Sequence, residues 1–181
     1  MSSRGLVRLQ RLLHGEGGLM ATLVDPAAPV DGQVGGSWAS PALVAAQGPR
    51  AEGRREEYEL LVEAIYEGYL LHYGSPRVVR TPEADLGLLA GDQLYAIGLA
   101  RLVELGDTAA VAELADTITL SALAQGAGEP ALADAVWAAG ARAVGWGSSD
   151  AHGRAKDLVF AAAPEAIEAM RTSALESSLP R

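Results

Sequence analysis

Between Thr81 and Gly106 the chain reads TPEADLGLLAGDQLYAIGLARLVELG, a helical stretch that is apolar on nearly every side. Thr81 is placed to cap it, Pro82 presets φ at the first helical position, and Gly106 stops it. At the α-helical rise the part from Pro82 to Leu105 is about 36 Å long. On a 100° wheel Gln93, Ile97, Arg101 and Glu104 share the one side suited to water. A helix so apolar belongs inside a helical core. Gly87, Gly91 and Gly98 fall on one stripe. Each glycine costs roughly 0.8–1 kcal/mol relative to alanine, so the stripe marks a place where a second helix backbone comes close. Asp92 falls with Ala96, Leu99 and Val103, away from the polar side. There it is expected to be buried and to need a partner. It is either an acid at a site or subunit contact, or a carboxylate bonded to a helix end, a tyrosine or an arginine.

The remaining pattern is also helical. Arg54–Tyr73 forms a first helix, with glutamates in its opening turn where the dipole favours them, and Gly74-Ser75-Pro76 ends it. A third runs from Asp107-Thr108 to about Gln125, with Val111, Leu114, Ile118 and Ala122 as its core stripe. A fourth runs from Pro130 to about Val144, and a fifth segment starts at Ser149-Asp150 with Asp150 as N-cap. Pro164 interrupts it before a last helical piece, Glu165–Ser177. Much of the 49% hydrophobic content is alanine and only 5% of residues are aromatic, a composition that favours close-packed helices. The only extended-looking piece is Pro76–Arg80. The expected fold is all-α: about five helices over 54–178, preceded by a flexible or loosely packed arm over 1–53. Within that arm residues 1–14 form a basic amphipathic stretch, with Leu6, Leu9 and Leu13 at helical spacing. It reads as a frayed terminal helix, or alternatively as a membrane-surface anchor.

Charge and composition exclude several classes. A net charge of −9 leaves no basic surface for nucleic acid. The absence of cysteine removes disulfides and thiolate metal sites and fits a cytoplasmic protein. No charge-free run of 18 apolar residues is present, so no membrane span is expected.

The segment GLLAGDQL, from Gly87 to Leu94, resembles the "LAGDxL" helix of trans-isoprenyl diphosphate synthases, an all-helical family. The order is similar too: an apolar helix ending GYLLHYGSPRVV, then LLAGDQLY, then GDTAAVAELADTITL, together covering residues 56–125. The resemblance implies a helical array like part of the isoprenoid synthase fold. Active members hold magnesium and diphosphate with two Asp-rich DDxxD-type motifs. Here Tyr66-Glu67-Gly68-Tyr69-Leu70-Leu71-His72-Tyr73 stands in the first motif's place, and no two aspartates are adjacent anywhere. One Glu and one His cannot assemble the oxygen-rich site that Mg²⁺ requires. The resemblance is therefore closest to the non-catalytic small subunit of heterodimeric polyprenyl synthases, the heptaprenyl diphosphate synthase component I type. It implies a partner or regulatory role and no cofactor of its own, with magnesium entering only through a catalytic partner. It also implies a protein partner, either a catalytic prenyl synthase subunit or a second copy.

The alternative is a small helical ligand binder or enzyme with a pocket near Tyr69, His72 and Asp92. Pocket or interface candidates are Tyr66, Tyr69, His72, Gly91, Asp92 and Tyr95. Tyr66, Tyr69 and Tyr73 share a face that could line an isoprenoid pocket, although core packing is the default. His72 suits a helix C-terminus. Glu59, Glu63 and Glu67 form one carboxylate row, read as a solvated face because no Glu-x-x-His accompanies it. His14 and His152 have no partner visible in the sequence. Ser148-Ser149-Asp150 with His152 resembles a hydrolase only superficially, since G-x-S-x-G is absent.

Overall fold

The computed structural model describes residues 4–25 and 39–176. Among them are nine α-helices, one 3₁₀ turn at Pro49–Ala51 and no strand, so the fold is all-α. The helices are α1 (Arg4–Glu16), α2 (Gly18–Thr22), α3 (Pro41–Gln47), α4 (Arg55–Tyr73), α5 (Ala84–Glu104), α6 (Thr108–Gly126), α7 (Pro130–Trp146), α8 (Asp150–Phe160) and α9 (Ala166–Leu175). Each expected helix is present, but α5 starts at Ala84 with Glu83 at its N-cap, so Thr81 and Pro82 lie ahead of it and do not cap it. Pro76–Arg80 is a loop, not a strand. The cap of α8 is Ser149 rather than Asp150: its Oγ accepts the His152 amide at 3.0 Å.

Helices α4 and α7, not α5, occupy the centre. Ten residues of α4 and eleven of α7 are buried, against six of the 21 in α5. The glycine stripe of α5 does what its spacing implied. A Cβ at Gly98 would lie 2.4 Å from Ile65 Cγ1 and 3.2 Å from the Leu61 carbonyl of α4; one at Gly91 would lie 3.0 Å from the Gly68 carbonyl. The enclosure expected for the rest of α5 is not found. Leu88, Leu89 and Val103 are 45%, 62% and 55% exposed, and Asp92, expected to be buried, has 74% of its side chain in water. The helix lies against α4 and α6 and turns an apolar flank outward. Among the described residues it is the one helix long and apolar enough, at mean hydropathy 1.3, to cross a membrane by length and composition. Core helices share that property, and no clear span follows.

Packing also crosses the boundary expected at residue 53. Leu6, Leu9 and Leu13 of α1 are completely buried, in one cluster with Ala64 of α4, Val78, Val79, and Ala90 and Leu94 of α5. Ala42 and Ala45 of α3 join the central cluster around Tyr58, Ile65 and Trp137. These described parts of the arm are core, and α1 is not a surface anchor. Its arginines hid this, because they line the opposite side. Arg8 reaches Glu56 at 2.5 Å, for example.

Candidate functional site

The aromatic cluster foreseen on α4 exists and is solid. Tyr66 and Tyr69 stack at 5.8 Å, and both meet Trp137 of α7, at 4.9 and 5.2 Å. Tyr69 Oη accepts a hydrogen bond from Gln125 at 2.7 Å. Burial pushes the Tyr66 phenol up to about 12 and raises Tyr69 as well. The Tyr66–Tyr69 face is core packing. On the α5 side the His72 ring stacks on Tyr95 at 5.5 Å and 4°. A Cβ at Gly91 would lie 2.6 Å from His72 Nε2, so the ring sits directly on the glycine. Asp92 Oδ1 approaches His72 Nε2 at 3.2 Å, within ion-pair reach but without hydrogen-bond geometry, and Nε2 has no hydrogen-bond partner. All six candidate residues are thus brought into one region. The two cavities described below lie elsewhere, and this region is packed.

The carboxylate row on α4 is a correction. Glu63 and Glu67 are completely buried. Arg77 Nη2 donates to Glu63 at 2.7 Å and Arg77 Nε to Glu67 at 3.1 Å. The amides of Arg77, Val78 and Val79 donate to Glu67 Oε1 at 2.6, 2.6 and 3.2 Å. This acid is a clamp for the loop after α4. With Glu67 so committed, the position matching a first Asp-rich motif does not fit magnesium. Among the described residues no group of three or more His, Asp or Glu is arranged to hold a metal ion.

A constellation that sequence reasoning missed lies at the other end of the molecule. Ser149 caps α8 and so fixes the first turn, which carries His152 inward. The helix ends with Ala162 at φ 49° and the Ala163 amide bonded to the Leu158 carbonyl at 2.9 Å. This left-handed stop, followed by Pro164, folds α9 back beside α8. His152, 3% exposed, thereby meets Ser173 of α9 and Glu113 of α6. Ser173 Oγ lies 2.8 Å from His152 Nδ1, and Glu113 Oε1 lies 2.6 Å from Nε2. Lys156 Nζ donates to the other Glu113 oxygen at 3.1 Å and to Asp116 at 2.8 Å. Burial works against the Lys156 charge, but the Asp116 hydrogen bond and the Glu113 charge raise its pKa overall. A carboxylate only accepts hydrogen bonds. In the neutral ring Nε2 therefore carries the proton, and the Nδ1 lone pair accepts the Ser173 hydroxyl. The only sequence signal was a polar residue, Glu113, on the core face of α6; Ser173 and Glu113 lie 21 and 39 positions from His152, a separation that no helical period links.

Ser173 also borders two cavities. One is a groove of about 720 Å³ between α8 and α9. The other is a pocket of about 20 Å³ shared with Arg142, Ser149, His152 and Glu176. Comparison with protein-family models, curated proteins and solved structures found no match to this chain.

Proposed function

We propose that this chain is a partner protein, without prenyl-transfer activity of its own, that docks another polypeptide on the outer face of α5. The partner proposed is the catalytic subunit of a polyprenyl diphosphate synthase in the cytoplasm. The observation that carries the docking reading is the bare apolar flank of Leu88, Leu89, Ala96 and Val103 on a helix already locked to α4 by its glycines. Leu89, Ala96 and Val103 recur at seven-residue intervals, the spacing of a helix–helix seam. Exposed apolar side chains clustered in this way commonly mark a protein contact, and Asp92, 74% in water on the same side, adds one charge to it. The identity of the partner rests on the LAGD-type motif, which lies on this same helix. Magnesium belongs to the partner's aspartates in this reading.

The test is co-expression with a DDxxD-bearing synthase subunit. The two chains should co-purify and the product length should change. The double substitution Leu89→Glu and Val103→Glu should keep the helical circular dichroism and abolish association. Polyprenyl diphosphate made by the purified chain with Mg²⁺ alone would defeat the reading, and so would failure of the wild-type chains to associate.

A further inference from the structure

We propose that Ser173, His152 and Glu113 form an acyl-transfer site that hydrolyses small uncharged or cationic esters bound in the groove between α8 and α9. The activity is independent of the docking role of α5. Three features meet here. Ser173 Oγ, His152 and Glu113 make an unbroken nucleophile–base–carboxylate chain at 2.8 and 2.6 Å. Such a chain is recognised by geometry and roles rather than by sequence order. Its serine is only 5% exposed, yet it lines a groove large enough for a small substrate. Ser173 also lines a pocket of about 20 Å³, the size needed for one water or one carbonyl oxygen.

The chemistry follows from the tautomer. Ser173 Oγ attacks the ester carbonyl while its proton passes to His152 Nδ1. Glu113 holds Nε2–H and balances the imidazolium, acting as a positioning residue. Arg142 lines the small pocket beside Glu176, with its Nε and Nη2 donating to the Glu176 carbonyl at 2.8 and 2.5 Å, and in this proposal its charge supports the oxyanion. The tetrahedral intermediate collapses, the C–O bond to the alcohol breaks, and Nδ1–H protonates the leaving alkoxide. Water then adds to the acyl-serine carbonyl, giving its proton to Nδ1. Collapse releases the carboxylic acid, and the proton returns to Ser173 Oγ.

The groove sets the substrate class. Its walls include Ala151, Ala155, Leu158 and Ala169, which suit a short alkyl or acyl chain. Asp157, Glu165 and Glu168 outnumber Arg154 among its lining residues, so an anionic ester is repelled.

The test uses the full chain with a fluorophosphonate probe, p-nitrophenyl butyrate and the anionic p-nitrophenyl hemisuccinate. The wild-type protein should be labelled on Ser173 and hydrolyse the butyrate at least 10-fold faster, in kcat/KM, than the hemisuccinate. Ser173→Ala should abolish labelling and lower hydrolysis by 100-fold or more. Glu113→Gln should lower kcat with little change in KM. It should also move the midpoint of the pH–rate profile down, because the imidazolium loses its carboxylate; a merely structural role for Glu113 would not move that midpoint. Native wild-type protein that takes no label and turns over no ester overturns the proposal, as does turnover that survives Ser173→Ala. Neither result touches association through α5.

Discussion

Two buried glutamates share one arginine in the clamp beneath the loop after α4, so this part of the core carries an excess negative charge. Glu63 bears the consequence. Burial raises its pKa above the ordinary 4.5, outweighing the attraction and hydrogen bond of Arg77. An acid whose pKa is raised on folding binds its proton more tightly in the native state. Its contribution to stability is complete below 4.5 and is lost as pH rises through the raised folded value. Asp107 runs the other way. Burial opposes its charge, but hydrogen bonds from Tyr58 and the Ala110 amide, together with Arg50, lower its pKa overall. Its contribution is present above 3.8 and fades as pH falls through the folded value. Glu63→Gln leaves Arg77 and Glu67 as a matched pair. Urea titrations across pH 4–8 should show the variant losing less stability than the wild type as pH rises above 4.5. Parallel curves would refute the assignment. The glycines make a second expectation. Gly98→Ala places a methyl 2.4 Å from Ile65 Cγ1 and should destabilise by about 1–3 kcal/mol. Gly153→Ala, within α8 with nothing inside 4 Å, should stabilise by roughly 0.5–1 kcal/mol. Thermal melts of both variants read the contrast, and equal shifts would contradict the close α4–α5 contact. The glycine stripe was legible because backbone proximity demands glycine wherever it occurs. The clamp was not. Periodicity says which residues share a face, and the arginine that dries this face comes from a loop ten residues beyond Glu67.

Most helix boundaries from α4 onward followed a stop or start residue: Gly74, Gly106, Asp107, Gly128, Pro130 and Gly147; the start of α5 did not, since it begins at Ala84, past Thr81 and Pro82. What those signals could not tell is which helix is innermost. The hydrophobicity of α5 suggested the centre, yet α4 and α7 took it. Aromatic and aliphatic bulk on α4 and alanine on α7 let those two be wrapped from several sides. α5 has the same apolar content and keeps half of it outside. That is the physical reason for reading its outer flank as a contact surface. The opposite error fell on α1, where three arginines among few residues suggested a wet terminal helix. Its leucine stripe is narrow but complete, and the hydrogen bond from the Gly5 amide to Glu59 at 3.0 Å ties its first turn to α4. Leu9→Ala therefore creates a true core cavity and should cost about 2–5 kcal/mol, the range for leucine truncation inside a packed core. Chemical denaturation measures it. A loss below about 0.5 kcal/mol would mean that α1 is a surface helix after all. The Ser173–His152–Glu113 constellation was the least legible of all, because its three members sit on three helices and the hairpin stop at Ala162 sets only α8 against α9.

The nine helices form three apolar clusters linked by shared helices. Residues of α4 belong both to the cluster with α1 and α5 and to the central cluster. Residues of α6 and α7 belong both to the central cluster and to the one holding α8 and α9. Loss of either outer cluster thus leaves the central one largely intact, whereas loss of the central cluster removes a wall from both others. Local opening energies should follow that order, because an amide exchanges through the smallest opening that frees it. Amides in the middle of α4 and α7, near Ile65 and Gly140, should be the slowest to exchange and should report the global unfolding free energy. Those in α1 and α9 should exchange through smaller openings. Gly140 is a sensitive reporter of the α6–α7 contact, because a Cβ there would meet Thr117 Oγ1 at 2.1 Å. Native-state hydrogen exchange at low denaturant makes the comparison directly. If α9 were as protected as α4, the clusters would open as one unit, and the Ser173–His152 pair would be as rigid as the core. If α9 opens first, as the packing implies, Ser173 parts from His152 in the open form, and the pair exists only in the closed fold.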